Sequence, residues 1–243
     1  MNRMKKIFQA LFLFYILTLI SCNSKEQINT RDIFEKSTLN DSLAFYFPPI
    51  LNDTIKRRSQ IYQNFKQKWY SSSLYSFKEP ILYTKKDSQI IYRLLVLRSF
   101  HQPICFSIKE FEGDYFLNAK SLDRQPAFYP KIEGRFNDFG KEIVDTIQKA
   151  DRLAFIKFDT LISLSNGQRN KIENYLAKLD FWNSPIADPF DEHTTDGSNW
   201  VIEGRKNNKY HFIDRRNARG ELRQFGKYLI RLSGLKIKED EIY

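Results

Sequence analysis

The residues best equipped for chemistry lie near the C-terminus, in the runs Trp200-Val201-Ile202-Glu203-Gly204-Arg205 and Tyr210-His211-Phe212-Ile213-Asp214-Arg215. Between them, Asn207 and Asn208 tolerate the positive φ of a two-residue turn. The two runs therefore read as a hairpin, Asn199 to Lys206 against Lys209 to Arg216. That register sets Trp200 opposite Arg215, Ile202 opposite Ile213 and Gly204 opposite His211, all on one face because side chains alternate. Arg215 is then expected to stack on Trp200, and Gly204 to leave room for the His211 ring. Val201, Glu203, Arg205, Tyr210, Phe212 and Asp214 fall on the other face, with Glu203 and Asp214 as diagonal neighbours. Such groups could do acid–base work, through an imidazole that titrates near neutral pH or through a carboxylate pair. A plainer reading is a hairpin pinned by an aromatic–arginine pair and one surface ion pair. Trp200, Glu203, His211, Asp214 and Arg215 are thus the candidate binding or catalytic residues.

Other chemistry is weaker. The loop Asp188-Pro189-Phe190-Asp191-Glu192-His193-Thr194-Thr195-Asp196 gathers oxygen ligands and one imidazole. Its spacing matches neither a calcium-binding helix–loop–helix nor a His-Glu-x-x-His zinc helix, so no metal and no cofactor is expected. The chain has no Gly-x-Ser-x-Gly, no phosphate loop, no Gly-x-Gly-x-x-Gly and no Ser-x-x-Lys set. Cys105 sits in the apolar run Pro103-Ile104-Cys105-Phe106, which predicts a buried, inert thiol. These absences favour a binding protein over an enzyme.

At the other end of the chain, Met1-Asn2-Arg3-Met4-Lys5-Lys6 is a positively charged start, followed by a nearly unbroken apolar stretch from Ile7 to Ile20. About 14 residues are too few to cross a hydrocarbon core of ~30 Å, and suit an export signal instead. The stretch ends in Leu19-Ile20-Ser21-Cys22, which resembles the lipobox of bacterial lipoproteins. That resemblance implies cleavage before Cys22 and acylation of its thiol and new amine. It also implies the outer membrane, because Asn23 stands where an Asp would mark inner-membrane retention. Two or three acyl chains suffice for stable anchoring.

Residues 1–21 are thus the expected signal peptide, residues 22–43 a polar lipidated tether, and residues 44–243 a single α+β domain. Asn52 or Asp53 caps a predicted helix to Tyr70, with Ile55, Ile61, Tyr62, Phe65 and Trp69 on one side and a solvated basic face of Lys56, Arg57, Arg58, Lys66 and Lys68. Ile90 to Phe100 reads as a buried strand, followed by Ile104 to Lys109 and Tyr115 to Ser121 in an antiparallel meander. Phe139 to Ala150 fits a short helix, and Ala154 to Ser163 another strand. Ser165 and Gln168 form a capping box that opens a helix to Leu179, with Ile172, Tyr175, Leu176 and Leu179 inward. After the hairpin, Glu221 to Leu232 closes the chain as a helix stopped by Gly234. Hairpins and a meander with flanking helices give the α+β class.

The composition agrees. Aromatic residues make up 15% of the 243, too many for a disordered chain. Setting aside Arg3, Lys5 and Lys6, 36 basic residues face 29 acidic ones, an excess of about +7. Such an excess draws the chain toward anionic headgroups or an acidic partner, although a merely solvated surface explains it as well. Nucleic acid is not expected, since no zinc-finger, basic-zipper or RNA-binding pattern occurs.

Tyr92-Arg93-Leu94-Leu95-Val96-Leu97-Arg98-Ser99-Phe100-His101, Phe181-Trp182, Asp196-Gly197-Ser198-Asn199-Trp200-Val201-Ile202-Glu203-Gly204 and Tyr210-His211-Phe212-Ile213-Asp214-Arg215 together resemble uncharacterised lipoproteins of Bacteroidetes-type bacteria. The resemblance spans about Tyr92 to Leu235, departs between Pro126 and Arg152, and implies class and location but no activity. The expected partners are the bilayer, through acylated Cys22, and a protein of the envelope, with the domain acting as an accessory subunit or an immunity-type inhibitor. The alternative is a small envelope enzyme or glycan-binding protein that uses Glu203, His211 and Asp214.

Overall fold

The structure, a computed structural model, describes residues 45–48, 57–86, 88–126, 154–187 and 197–243, with side chains in the first helix from Lys66 onward. The helix expected over Phe139 to Ala150, the Asp188 to Asp196 loop and Cys22 lie outside the described residues.

Six antiparallel strands form one open sheet, flanked by three α-helices among the described residues. In chain order the elements are α1 (Arg57–Ser76), β1 (Ile91–Arg98), β2 (His101–Phe111), β3 (Asp114–Leu122), β4 (Ile156–Leu164), α2 (Asn166–Lys178), β5 (Ser198–Lys206), β6 (Lys209–Arg216) and α3 (Gly220–Ser233), and a short 3₁₀ turn at Glu239–Glu241 follows. The spatial order is β4-β3-β2-β1-β5-β6. β1 to β3 are the expected meander, the separately expected strand β4 extends it at the edge beside β3, and β5–β6 is the expected hairpin. Pairing of β1 with β5 joins the two, with Leu94 opposite Ile202 and Val96 opposite Trp200. The chain leaves β4 at one edge, runs along α2 and re-enters the sheet beside β1.

Local signals explain the element ends. Both bonds of the Ser165–Gln168 capping box are present, and α2 runs to Lys178 with Leu179 as its C-cap. Gly234, at φ 73°, ends α3 in the left-handed conformation. The strand expected over Ile90 to Phe100 stops at Arg98, because Ser99 and Phe100 turn the chain into β2. α1 continues six residues past its expected end at Tyr70, to Ser76. Its last turns meet the sheet and so gain packing that propensity alone does not supply.

β1 is buried along its whole length, as its apolar run predicts, because helices cover both faces of the sheet. On one face Leu94, Val96, Phe106, Leu117, Trp200 and Ile202 meet Ile172 and Leu176 of α2 and Leu222, Phe225 and Leu229 of α3. On the other, Leu95, Leu97, Cys105, Val201 and Phe212 meet Tyr70 and Leu74 of α1, together with Tyr46, Phe47 and Phe77. Cys105 is buried, as expected, and burial raises its thiol above the ordinary value, so it stays a thiol.

α3 packs so closely that a side-chain carbon on Gly226 would overlap the Trp200 ring. Gly226→Ala gains about 1 kcal/mol of helix propensity. Overpacking against a fully buried ring costs about 1–3 kcal/mol. The variant is therefore expected to be less stable in urea unfolding; greater stability would show that α3 shifts freely on the sheet.

Candidate functional site

The hairpin forms in the expected register. Trp200 pairs with Arg215, Ile202 with Ile213, Gly204 with His211, Glu203 with Phe212 and Val201 with Asp214. Asn207 and Asn208 make the turn at φ 50° and 62°. Alternation then divides the candidates between two faces separated by the sheet itself. Trp200, His211 and Arg215 face α2 and α3. Glu203 and Asp214 face α1.

On the helix-pair face the expected contacts are replaced by others. Trp200 is fully buried, and its Nε1 donates to Ser198 Oγ at 2.9 Å and to the Tyr243 carbonyl at 3.1 Å. Arg215 does not stack on it. The guanidinium donates instead to the carbonyls of Pro185 at 2.8 Å and Ile186 at 3.0 Å, clasping the segment before β5 to the sheet. The space over Gly204 is filled by the rings of Tyr92 and Phe181 rather than by His211. His211 lies edge-on to Phe181, and its Nε2 is 2.9 Å from the Ser184 carbonyl. A carbonyl only accepts, so Nε2 carries the proton there.

The α1 face holds a buried chain of charges. Glu203 accepts from Arg93 Nε at 2.7 Å and from the Tyr210 hydroxyl at 2.9 Å. Arg93 Nη2 also lies 2.5 Å from the same carboxylate, while its Nη1 reaches Glu79 at 3.3 Å and the Pro80 carbonyl at 2.8 Å. Glu79 accepts further from Lys120 at 2.5 Å and from Ser107 at 2.9 Å. Two carboxylates and two cations thus alternate from β5 across to β3, all of them nearly removed from water.

Their protonation follows from their neighbours. Burial presses the Glu79 carboxyl upward, but Lys120 and Arg93 outweigh it and hold the group below its ordinary value. Burial also dominates at Glu203, where Arg93 and Tyr210 fall short and the group ends above its ordinary value. The difference is that Glu79 has two cations and Glu203 shares one. Burial works against the charge of Arg93 too, yet Glu203 and Glu79 raise it. Tyr210 is pushed well up, first by burial and then by the Glu203 charge.

Asp214 belongs to a second cluster. Its Oδ2 accepts from Lys66 Nζ at 3.1 Å and from the Tyr70 hydroxyl at 3.0 Å, and Asn199 Nδ2 joins at 2.8 Å to that hydroxyl. Lys66, expected on the solvated face of α1, is buried because Asp214 draws it against the sheet. Glu203 and Asp214 therefore share a face, but each is held by its own cation, and they do not form a carboxylate pair.

The sequence reading missed Arg93, Glu79, Lys120 and Lys66. The available signal was charge inside strands that otherwise read as buried, at Arg93 in β1 and Lys120 in β3. Among the described residues, no group of three or more His, Cys, Asp or Glu is placed to hold a metal. A cleft of about 510 Å³ lies at the turn end of the hairpin, where Tyr92 and Trp182 meet Arg169, Asp180, Asn183 and Lys206.

Compared with known proteins, the chain matches no family model, no curated protein and no solved structure.

Arg93→Met removes the cation paired with Glu203, leaves Glu79 only Lys120 of its two, and is expected to cost about 3–5 kcal/mol in urea unfolding at pH 7. Without the guanidinium, Glu203, already above its ordinary value, is pushed further up, and Glu79 loses one of the two cations that hold it down. The variant therefore takes up more protons on folding than the parent chain, and its deficit should shrink as pH falls toward the ordinary glutamate value of about 4.3. A deficit that stays constant or grows on acidification would mean that Arg93 does not neutralise these carboxylates.

Proposed function

We propose that the protein is a lipid-anchored binding module of the bacterial outer membrane. In this reading Cys22, exposed by removal of residues 1–21, carries the acyl chains, residues 22–43 form a tether, and residues 44–243 form one domain that holds a protein partner. The partner makes the domain an accessory subunit of an envelope complex or an immunity-type inhibitor. Support for the anchor comes from the charged start, the apolar run Ile7 to Ile20 and the Ser21-Cys22 junction. No helix among the described residues is long and apolar enough to cross a membrane.

One observation carries the preference for binding over catalysis: all five hairpin candidates are engaged by the domain's own groups, and Trp200, Glu203 and Asp214 are buried. Glu203 is 1% exposed and bonded to Arg93 and Tyr210. Asp214 is bonded to Lys66 and Tyr70, His211 to the Ser184 carbonyl, Arg215 to two carbonyls, and Trp200 is enclosed. A general acid or base must reach a proton on a substrate, and groups sealed between α1 and the sheet do not. His211 and the two carboxylates also lie on opposite faces, which argues against a common acid–base site.

The alternative of glycan binding draws on the cleft beside the turn, where the half-buried Trp182 ring stands among Arg169, Asp180 and Asn183. Aromatic surface with a few convergent polar groups suits a small polar ligand.

Envelope pull-downs with the full chain at moderate and high salt test the main reading. One protein partner retained at both salt levels is the expected result. No partner at either level, with glycan binding lost in Trp182→Ala, would replace it by the alternative. Cys22→Ser is expected to abolish incorporation of labelled palmitate and to release the protein from the membrane fraction. Unchanged membrane retention would overturn the anchor.

A further inference from the structure

We propose that the cavity beneath the C-terminal segment is a binding site for a small organic carboxylate, with Arg98 as its anchor and Glu241 as an internal stand-in for the ligand. This inference is independent of the membrane anchor and of any protein partner.

The cavity, of about 380 Å³, lies where β1 ends, β2 begins, β3 ends and β4 begins, and the chain after α3 lines it through Gly234, Leu235, Ile237 and Glu241. Its volume falls in the range of roughly 300–1,000 Å³ usual for small-molecule sites. Ile104, Leu122, Phe158, Leu235 and Ile237 supply an apolar part of its wall. Lys157 and Lys236, both exposed, line it as well and favour the approach of an anion.

Arg98 is the buried charge of the cavity, at 3% exposure. Its Nη1 donates to the Glu241 carbonyl at 3.1 Å and its Nη2 to the Gln102 carbonyl at 2.8 Å, while its buried Nε has no partner. The nearest carboxylate, that of Glu241, stands at 3.7 Å on a side chain 26% exposed. Burial accordingly pulls the guanidinium below its ordinary value, and Glu241 and Tyr243 oppose this only in part.

Arg93 shows what a completed site looks like in the same strand. It has one carboxylate at 2.5 Å and another at 3.3 Å, and its charge is stabilised rather than strained. Five positions along, on the opposite face, Arg98 has neutral carbonyls, the Glu241 carboxylate only at 3.7 Å, and a further opposing charge from Tyr243. A planar guanidinium with an unused Nε–H suits the two oxygens of a carboxylate. The apolar walls then suit a short hydrocarbon body attached to that carboxylate. No metal or co-reactant is needed.

The test uses the full chain with 4-phenylbutyrate and with its uncharged amide, followed by calorimetry and by the NMR signals of Ile104 and Phe158. The acid is expected to bind about tenfold or more tightly than the amide, since a bond to a charged group is lost in the latter. Glu241→Gln keeps the backbone carbonyl on Arg98 but removes the competing charge, so it should tighten the acid by about threefold to tenfold. Arg98→Gln should abolish the preference for the acid. Should that variant fail to fold, the amide and Glu241→Gln comparisons decide. Equal affinity for acid and amide, no tightening in Glu241→Gln, or no saturable binding by the folded wild-type chain would each overturn the proposal.

Discussion

The guanidinium of Arg93 is the point on which the architecture turns. It stands in β1, near the middle of a sheet covered on both faces, where an unpaired charge would be heavily penalised. Its two carboxylate partners come from different parts of the chain. Glu79 lies just after α1, and Glu203 lies on β5. Satisfying this one cation thus draws the first helix down onto the sheet and holds the C-terminal hairpin against the meander. Lys120 extends the same logic to β3, since Glu79 also needs its second cation. Buried pairs of this kind add little net stability compared with apolar packing. Here they restrict which segments can meet at the centre of the sheet.

The two faces divide the work. Against α2 and α3 the contacts are close and largely apolar, to the point that Gly204 and Gly226 yield their side-chain space to Tyr92, Phe181 and Trp200. Against α1 the apolar core alternates with charge and hydroxyl groups, from Lys66 and Asp214 to Glu79 and Lys120. The sheet between them is one strand thick, so residues adjacent in a strand are chemically isolated from each other. This is why a histidine three positions from an aspartate in β6 cannot work with it.

Polar groups that serve only the interior end as neutral sets: Glu79 and Glu203 against Arg93 and Lys120, and Asp214 against Lys66. The ends of the sheet are organised differently. There, among the described residues, the connections and the C-terminal segment line a concave region beside Trp182 and another beside Arg98, with charged side chains at both. Connecting segments carried by a rigid sheet are where binding functions commonly reside. A central network that fixes the scaffold and open ends that vary in chemistry are consistent roles within one fold.

Much of this was legible locally. The Ser165–Gln168 capping box, the Asn207–Asn208 turn with its full register, and the Gly234 stop all depend on residues within a few positions of one another. Backbone geometry and hydrogen bonding at that range follow directly from side-chain type. The alternation in β5 and β6 likewise assigned each candidate to its correct face. What the tertiary structure alone decided was the company each face keeps. Pairing of β1 with β5, about a hundred residues apart, converts Arg93 from an interruption in an apolar strand into the shared cation of two acids. Packing of α1 turns Lys66 from a solvated residue into the partner of Asp214. On the other face, the segment before β5 supplies the Pro185 and Ile186 carbonyls that Arg215 takes instead of Trp200. Long side chains reach whichever partner the fold brings near, and that choice rests on contacts distant in sequence, which no local pattern encodes.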